Sequence, residues 1–395
     1  MKITVAVPTI AGRSKYLQWA LKTCVTQDDD FEILISDNSP GDAREVAELY
    51  KDPRIRYVRP PTYLPMSAHW DFVLTQISGD LLTIIGDDDG LMPGCIRRVT
   101  EIYQDAGGSI PIQHSMGNYF WPDSPEVASR HVFQFLHQGG WEIKEADSAA
   151  FLMGMAQGHL NYIDGPMVYH NFVPMSLLKR LTQGGVFFRR ACPDIYSALA
   201  VAANTPLFIS TQELLTIAGQ GARSNGTSVQ RGGADQFMAE MGALYRPRYA
   251  SDYVSRTVQL QSLDSLIEVL EYYQRHELLA AVSQARHIAR AISEAVIRMP
   301  GPVRNREVRE AIAMARRQRI TTEVGLLIVG RKLSSTFRRM CKPRLGVQAF
   351  AQGRAIRLDS GHVNNVFDAA IEVDRILTEA RRHEPLKPHV FAESH

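Results

Sequence analysis

Four short runs of apolar and β-branched residues fill the first 85 positions: ITVAV (Ile3 to Val7), FEILIS (Phe31 to Ser36), IRYV (Ile55 to Val58) and LLTII (Leu81 to Ile85). Runs this short with little polar alternation suit strands buried on both faces. Between them, residues 16–25, 43–50 and 67–77 carry apolar side chains at helical spacing. Strands alternating with helices predict an α/β fold, a mostly parallel sheet with helices on both faces. In such sheets ligands collect beyond the carboxyl ends of the strands. Three of the four ends are polar or special: Pro8 and Thr9, Asp37 and Asn38, and Asp87, Asp88 and Asp89.

The last of these ends, in the stretch TIIGDDDGLMPG, is the most telling. Adjacent carboxylates repel, so the arrangement costs stability unless a cation, donors or water relieve it. If the strand stayed extended, Asp87 and Asp89 would share one side and Asp88 would turn away. Asp87 and Asp89 are then the candidate ligands of Mn²⁺ or Mg²⁺, and Mg²⁺ commonly takes one or two carboxylates plus substrate phosphates. A solvated acidic turn ahead of the next helix is the plainer alternative. No G-x-G-x-x-G follows the first strand and no G-x-x-x-x-G-K-[ST] occurs anywhere. The segment PTIAGRSK, which contains Arg13, is the nearest thing to a phosphate loop.

Beyond Pro111 the pattern blurs to about residue 165. Helices are expected at 173–181 and 194–203, a short strand at 186–188, and a mobile loop in the glycine-rich 219–233. From Gln259 the chain reads as helical, interrupted by Pro300 and Pro302, with helices over 307–318 and 363–381. The expected division is 1–110, 111–245 with the loop 219–233, and 246–395 (helical C-terminal region).

The net charge of +2 hides a basic segment: residues 275–344 hold 16 Lys or Arg against five Asp or Glu. Its faces suit solvent, subunit packing in a homo-oligomer or peripheral membrane contact. Nucleic acid is disfavoured, because no aromatic-rich binding module accompanies the charge. Cys24, Cys95, Cys192 and Cys341 have no C-x-x-C spacing, which reads as free thiols in the cytoplasm. No run reaches the roughly 20 apolar residues of a membrane span.

Taken in order, VAVPT, SDNSPGD, IRYVRPP and ISGDLLTIIGDDD resemble the inverting family 2 glycosyltransferases of the GT-A fold, over about residues 1 to 100 and more loosely 165 to 225. The resemblance implies a nucleoside-diphosphate-sugar donor, with uracil the default base, and a saccharide or lipid-linked hydroxyl acceptor in bacterial polysaccharide or glycoconjugate synthesis. It implies that Pro8 and Thr9 line the base pocket and that Asp37, with Asn38 beside it, hydrogen-bonds base or ribose. Asp87 to Asp89 then occupy the D-x-D position, with Asp89 the direct metal ligand, Asp87 on metal or ribose, and Asp88 the least defined. Arg13 and Arg223 would face the diphosphate. The catalytic base falls on Asp194 in CPDIYSAL, where Pro193 stands in place of the family's usual glutamate. Trp70, His69 and residues 162–171 are candidates for the acceptor pocket. A sugar nucleotidyltransferase and a non-catalytic scaffold using the basic helices are the competing readings.

Overall fold

The computed structural model describes residues 1–136, 142–182, 184–233, 235–249, 251–340 and 355–383. Cys341 and the Arg344 end of the basic segment lie outside them. The four apolar runs form β1 (Ile3–Thr9), β2 (Glu32–Asp37), β3 (Ile55–Val58) and β4 (Leu81–Ile84). They pair in parallel in the order β3-β2-β1-β4, and β9 (Val173–Pro174) adds an antiparallel edge beside β4. The register sets Thr9 opposite Asp37 and Ala6 opposite Ile84, so the strands end at one rim. The α/β arrangement expected from the sequence, a mostly parallel sheet with helices on both faces, is the one found.

Side chains alternate between two cores, as the pleat requires. Ile3, Val5 and Val7 of β1 and Ile33 and Ile35 of β2 pack with α1 (Ser14–Val25), α2 (Ala43–Leu49) and α4 (Cys95–Asp105). Ala6, Leu34, Leu82 and Ile84 face the other way. They meet α3 (Met66–Gln76), α5 (Ser148–Ala156), α6 (Met175–Leu181) and α7 (Pro193–Ala203).

A second sheet occupies the region that the sequence left blurred. Its path is β11 (Ala355–Arg357), β7 (Val132–Phe135), β6 (Ile112–Tyr119), β10 (Leu207–Gly219) and β5 (Gly90–Leu91), with β8 (Ile143–Asp147) also on β10. The strand expected at 186–188 does not form; Val186 is a lone bridge residue. The expected loop 219–233 is largely ordered: Gly219 ends β10 and Asn225–Gln230 form α8.

After α9 (Asp235–Leu244) the chain is helical: α10 (Val258–Tyr272), α11 (His276–Ala280), α12 (Gln284–Arg298), α13 (Gly301–Arg317) and α14 (Thr321–Met340). Leu260 and Leu263 of α10 pack with Ile288 and Ile292 of α12 and Met314 of α13, while Leu266 and Leu270 join the core of the first sheet. The last helix, α15 (Val366–His383), returns to the first half, where Val366, Ala370 and Val373 pack with Tyr16, Tyr119 and Trp121. Leu34 is fully buried at the centre of the first sheet, so Leu34→Ala is expected to lower stability by about 2–5 kcal/mol, measured by chemical denaturation.

Candidate active site

The rim is organised by a turn. β4 ends at Ile84, the Ile85 N–H still donates to Ala6 O (3.0 Å), and the Asp89 N–H closes back on Gly86 O (3.2 Å). Asp87 and Asp88 are therefore turn residues, and strand alternation does not govern them. The expectation that Asp88 turns away while Asp87 and Asp89 act together is corrected here. Asp87 accepts from Arg13 Nε (2.8 and 3.0 Å) and from the Thr9 hydroxyl (2.6 Å). The same guanidinium lies 3.1 Å from Asp88 Oδ1, so Arg13 bridges Asp87 and Asp88.

Asp89 points into the protein. It accepts from the Tyr169 hydroxyl (2.6 Å), Gly219 N–H (2.7 Å) and Gly86 N–H, and His170 Nε2 lies 3.3 Å away. Burial alone would raise its pKa, but His170, Tyr169 and Gly219 outweigh it and hold the group below the usual carboxylate range. With these partners Asp89 anchors the turn. His170 is itself fully buried, hydrogen-bonds Thr216 (2.9 Å) and adopts φ +67°, a costly conformation for a residue with a Cβ.

Asp88 carries the opposite signature. Its Oδ2 is buried and has no hydrogen-bond partner among the described residues. Burial, with repulsion from Asp89 and Asp87, raises its pKa to about 8 against the pull of Arg13. A hard divalent cation would satisfy that oxygen, and Mn²⁺ and Mg²⁺ favour oxygen donors. A donor set with this open carboxylate oxygen therefore fits a metal. Among the described residues no three His, Cys, Asp or Glu side chains form a ready-made cage, so water and substrate oxygens would have to complete the shell.

The neighbouring strand end is structurally engaged. Asp37 is fully buried and accepts from the Tyr57 hydroxyl and Arg59 (both 2.7 Å), and Ser39 N–H reaches it at 3.3 Å in an Asx turn. Asn38 pairs with both backbone groups of Leu64 (2.7 and 3.0 Å), fixing the approach to α3. Pro8 is partly exposed on the rim. Arg223 is exposed; its guanidinium donates to Gly12 O (2.7 Å) and its carbonyl accepts from Arg13. Asp123 adds a second clasp, accepting from Lys15, the Tyr16 hydroxyl (2.6 Å) and Ala222 N–H (3.3 Å). These contacts fasten residues 222–223 to the β1–α1 connection.

Asp194 lies in the first turn of α7, where Pro193 opens the helix and a carboxylate complements its dipole. Burial raises its pKa, opposed by Ile195 N–H and a hydrogen bond from Tyr162, with His170 close enough to act on its charge. Residues 162–170 thus touch both carboxylate groups, Tyr162 holding Asp194 while Tyr169 and His170 hold Asp89. None of Tyr162, Tyr169, His170, Thr216 and Gly219 had been assigned a role in these contacts from the sequence. Tyr162, Tyr169 and His170 lay within the segment 162–171 considered for the acceptor pocket, Gly219 stood in glycine-rich surroundings, and Thr216 carried no signal.

Two residues considered for the acceptor pocket sit in the core, and His69 takes the part of an ordinary hydrogen-bonded histidine. Trp70 is buried against Tyr169 (5.7 Å) and Phe188 (5.6 Å), leaving no free face for a sugar. His69 hydrogen-bonds Ser36 (2.8 Å), and burial lowers its pKa to about 4, so it is a neutral core residue.

Gly219 sets a steric limit on the whole arrangement: a Cβ there would lie 1.9 Å from Asp88 O and 2.7 Å from Trp121 Nε1. Gly219→Ala is expected to destabilise the protein by about 1–3 kcal/mol. At Gly226 a Cβ meets nothing within 4 Å, so Gly226→Ala should keep the wild-type melting temperature or raise it slightly. Thermal denaturation of both variants checks the contrast.

Parts of the chain are similar to known proteins. The sequence signature of Glycosyl transferase family 2 matches residues 4–161. A Campylobacter jejuni GalNAc(5)-diNAcBac-PP-undecaprenol beta-1,3-glucosyltransferase is 37% identical over 105 residues, covering 25% of this chain and 34% of that protein, so the match spans about a third of the relative's length. Among solved structures, Staphylococcus aureus TarS 1-349 in complex with UDP-GlcNAc aligns with TM-score 0.46 at 13% identity, covering 92% of this chain and 99% of that one. The mannosyltransferase PcManGT from Pyrobaculum calidifontis, in complex with GDP-Man and Mn²⁺, gives TM-score 0.39 at 13% identity over 86% and 87%. The matched segment contains Thr9, Arg13, Asp37 and the whole aspartate turn, and over residues 4–161 the chain is similar to glycosyl transferase family 2.

Proposed function

We propose that the chain is a metal-dependent inverting glycosyltransferase that moves a sugar from a nucleoside-diphosphate donor, with uridine as the nucleoside, to a hydroxyl of a lipid-linked saccharide. The observation that carries this reading is the shared support of two carboxylate groups by residues 162–170. One group offers an unpartnered oxygen to a cation, and the other, Asp194, is buried so that its proton affinity rises despite the Ile195 N–H, Tyr162 and His170. The lipid-linked acceptor is suggested by the printed activity of the Campylobacter jejuni relative.

Asp88 would be the principal ligand of Mn²⁺ or Mg²⁺, with Asp87 beside it. When bound, the cation supplies positive charge to the departing diphosphate. Arg13 offsets the charge of Asp87 and Asp88, keeping the turn folded with or without donor. The clasp of residues 222–223 over the β1–α1 connection limits water at the rim, which protects a donor from hydrolysis. Asp194 takes the proton of the attacking hydroxyl, and burial that raises its affinity for a proton suits a general base. With Pro193 in place of a second acid, Asp194 does this alone. The free Cys24, Cys95 and Cys192 agree with a cytoplasmic setting.

Transfer from UDP-sugars to lipid-linked acceptors tests the reading. Asp194→Asn is expected to slow transfer by about 10²–10⁴-fold, with UDP affinity unchanged in calorimetry. Because Asp194 works as the carboxylate and its pKa is raised, the wild-type rate should climb with pH through a value above the ordinary carboxylate range. An Asp194→Asn rate within a few-fold of wild type would assign the base elsewhere. Pyrophosphate release from a nucleoside triphosphate, with no transfer, would favour nucleotidyl chemistry instead.

A further inference from the structure

A cleft of about 940 Å³ lies between the segment that precedes α7, the chain that follows α9 and α10. Pockets that take small molecules span roughly 300–1,000 Å³, so its size suits one such ligand. Five arginines line it: Arg189, Arg190, Arg246, Arg248 and Arg317. Asp252 and Glu268 are the carboxylates of the lining, and even with Asp264 and Glu271 at its margin positive charge stays in excess. The proposed transfer step uses none of these residues.

Most of this basic wall is held from behind. Arg190 is buried, and its guanidinium donates to Arg246 O (3.0 Å) and pairs with Glu268. The Arg248 N–H donates to Asp264 (2.6 Å), while its guanidinium reaches Glu268 (2.6 Å) and Glu271 (3.2 Å). Glu268 therefore serves two guanidinium groups at once. Arg189 stacks 3.8 Å over the Tyr272 ring and donates to its hydroxyl (2.7 Å). Arg246 is the loosely held member: its pair with Asp252 (3.2 Å) joins side chains that are 86% and 83% exposed, and such pairs contribute little. An anion can take the place of Asp252 there. The cleft also has an apolar side, with Tyr245, Pro247 and the exposed Val186 and Leu244 in its lining.

We propose that this cleft binds a phosphorylated saccharide, with Arg246 and Arg317 on the phosphate and Leu244 and Tyr245 against the sugar. Guanidinium groups match phosphate oxygens through paired N–H donors, and the C–H face of a sugar packs on apolar side chains. A cationic ligand would be repelled, and an uncharged sugar would leave the excess charge unanswered. From Arg190 the chain runs through Cys192 into the first turn of α7, which carries Asp194, so the transfer acceptor is one source of such a phosphate. A separate effector is the other. The binding site stands whether or not the transfer reading holds.

Calorimetric titration of the full chain with glucose 1-phosphate, inorganic phosphate and glucose at low salt tests it. Glucose 1-phosphate should bind several-fold more tightly than inorganic phosphate, and glucose should give no signal. Arg246→Glu with Arg317→Glu should weaken glucose 1-phosphate binding about tenfold or more, with a melting temperature near wild type. Arg246→Ala alone, at a highly exposed side chain, should show a smaller loss and keeps the test intact should the double variant fail to fold. Leu244→Ser should bring glucose 1-phosphate down to the level of inorganic phosphate. Asp88→Asn should bind it like wild type. In the transfer assay, competition with the acceptor, and a raised acceptor KM at unchanged kcat in the charge-reversed variant, would identify the phosphate as the acceptor's; a change in rate without competition would identify an effector. No binding by the wild-type chain, equal binding of glucose, or unchanged binding by the arginine variants would overturn the proposal. Loss of binding in Asp88→Asn would place the phosphate at the rim and overturn it too.

Discussion

The buried carboxylate of Asp89 is the interaction on which the rim depends. It is fully shielded from solvent, and it is stable there because Tyr169, Gly219, Gly86 and His170 surround it with hydrogen-bond donors or positive potential. Those groups come from three parts of the chain: the turn itself, the segment before β9 and the end of β10. One side chain therefore joins the first sheet to the second. Removing a buried charge's partners is strongly destabilising, and breaking such a pair costs about 3–5 kcal/mol, so the turn has little freedom to move.

That anchoring allows the other two aspartates to do different work. Asp87 is neutralised by Arg13 and Thr9, which makes it part of the scaffold that shapes the β1 end. Asp88 is left with an oxygen that no donor among the described residues reaches. Three like residues in a row thus divide into an anchor, a neutralised partner and an unsatisfied acceptor, and environment sets each role. The strained backbone of His170 belongs to the same logic: the left-handed conformation lets one imidazole reach both Thr216 and Asp89.

The first sheet was legible because its physics is local. Ile3 to Val7 and Leu81 to Ile85 are uninterrupted apolar runs, and only burial on two faces explains them. The second sheet was not, since β6 (IQHSMGNY) is buried yet largely polar, and β10 shifts register within its pairing to β6. The site was legible at the level of which carboxylates gather, through the order of the strand ends. Their orientation was not, because it is set by partners such as Tyr169 and Gly219, 80 and 130 residues away in sequence. Trp70 shows the converse: an aromatic residue near a rim reads like a sugar platform, while the packing of Phe188 and Tyr169 makes it core.

The division among the aspartates is the central claim, and calorimetric titration of UDP with and without Mn²⁺ on the Asp88→Asn protein tests it most directly. The account predicts that the wild-type chain gains affinity from Mn²⁺, and that Asp88→Asn keeps its fold and its metal-free binding but loses that gain. An Asp88→Asn protein that retains the whole Mn²⁺-dependent gain would contradict it.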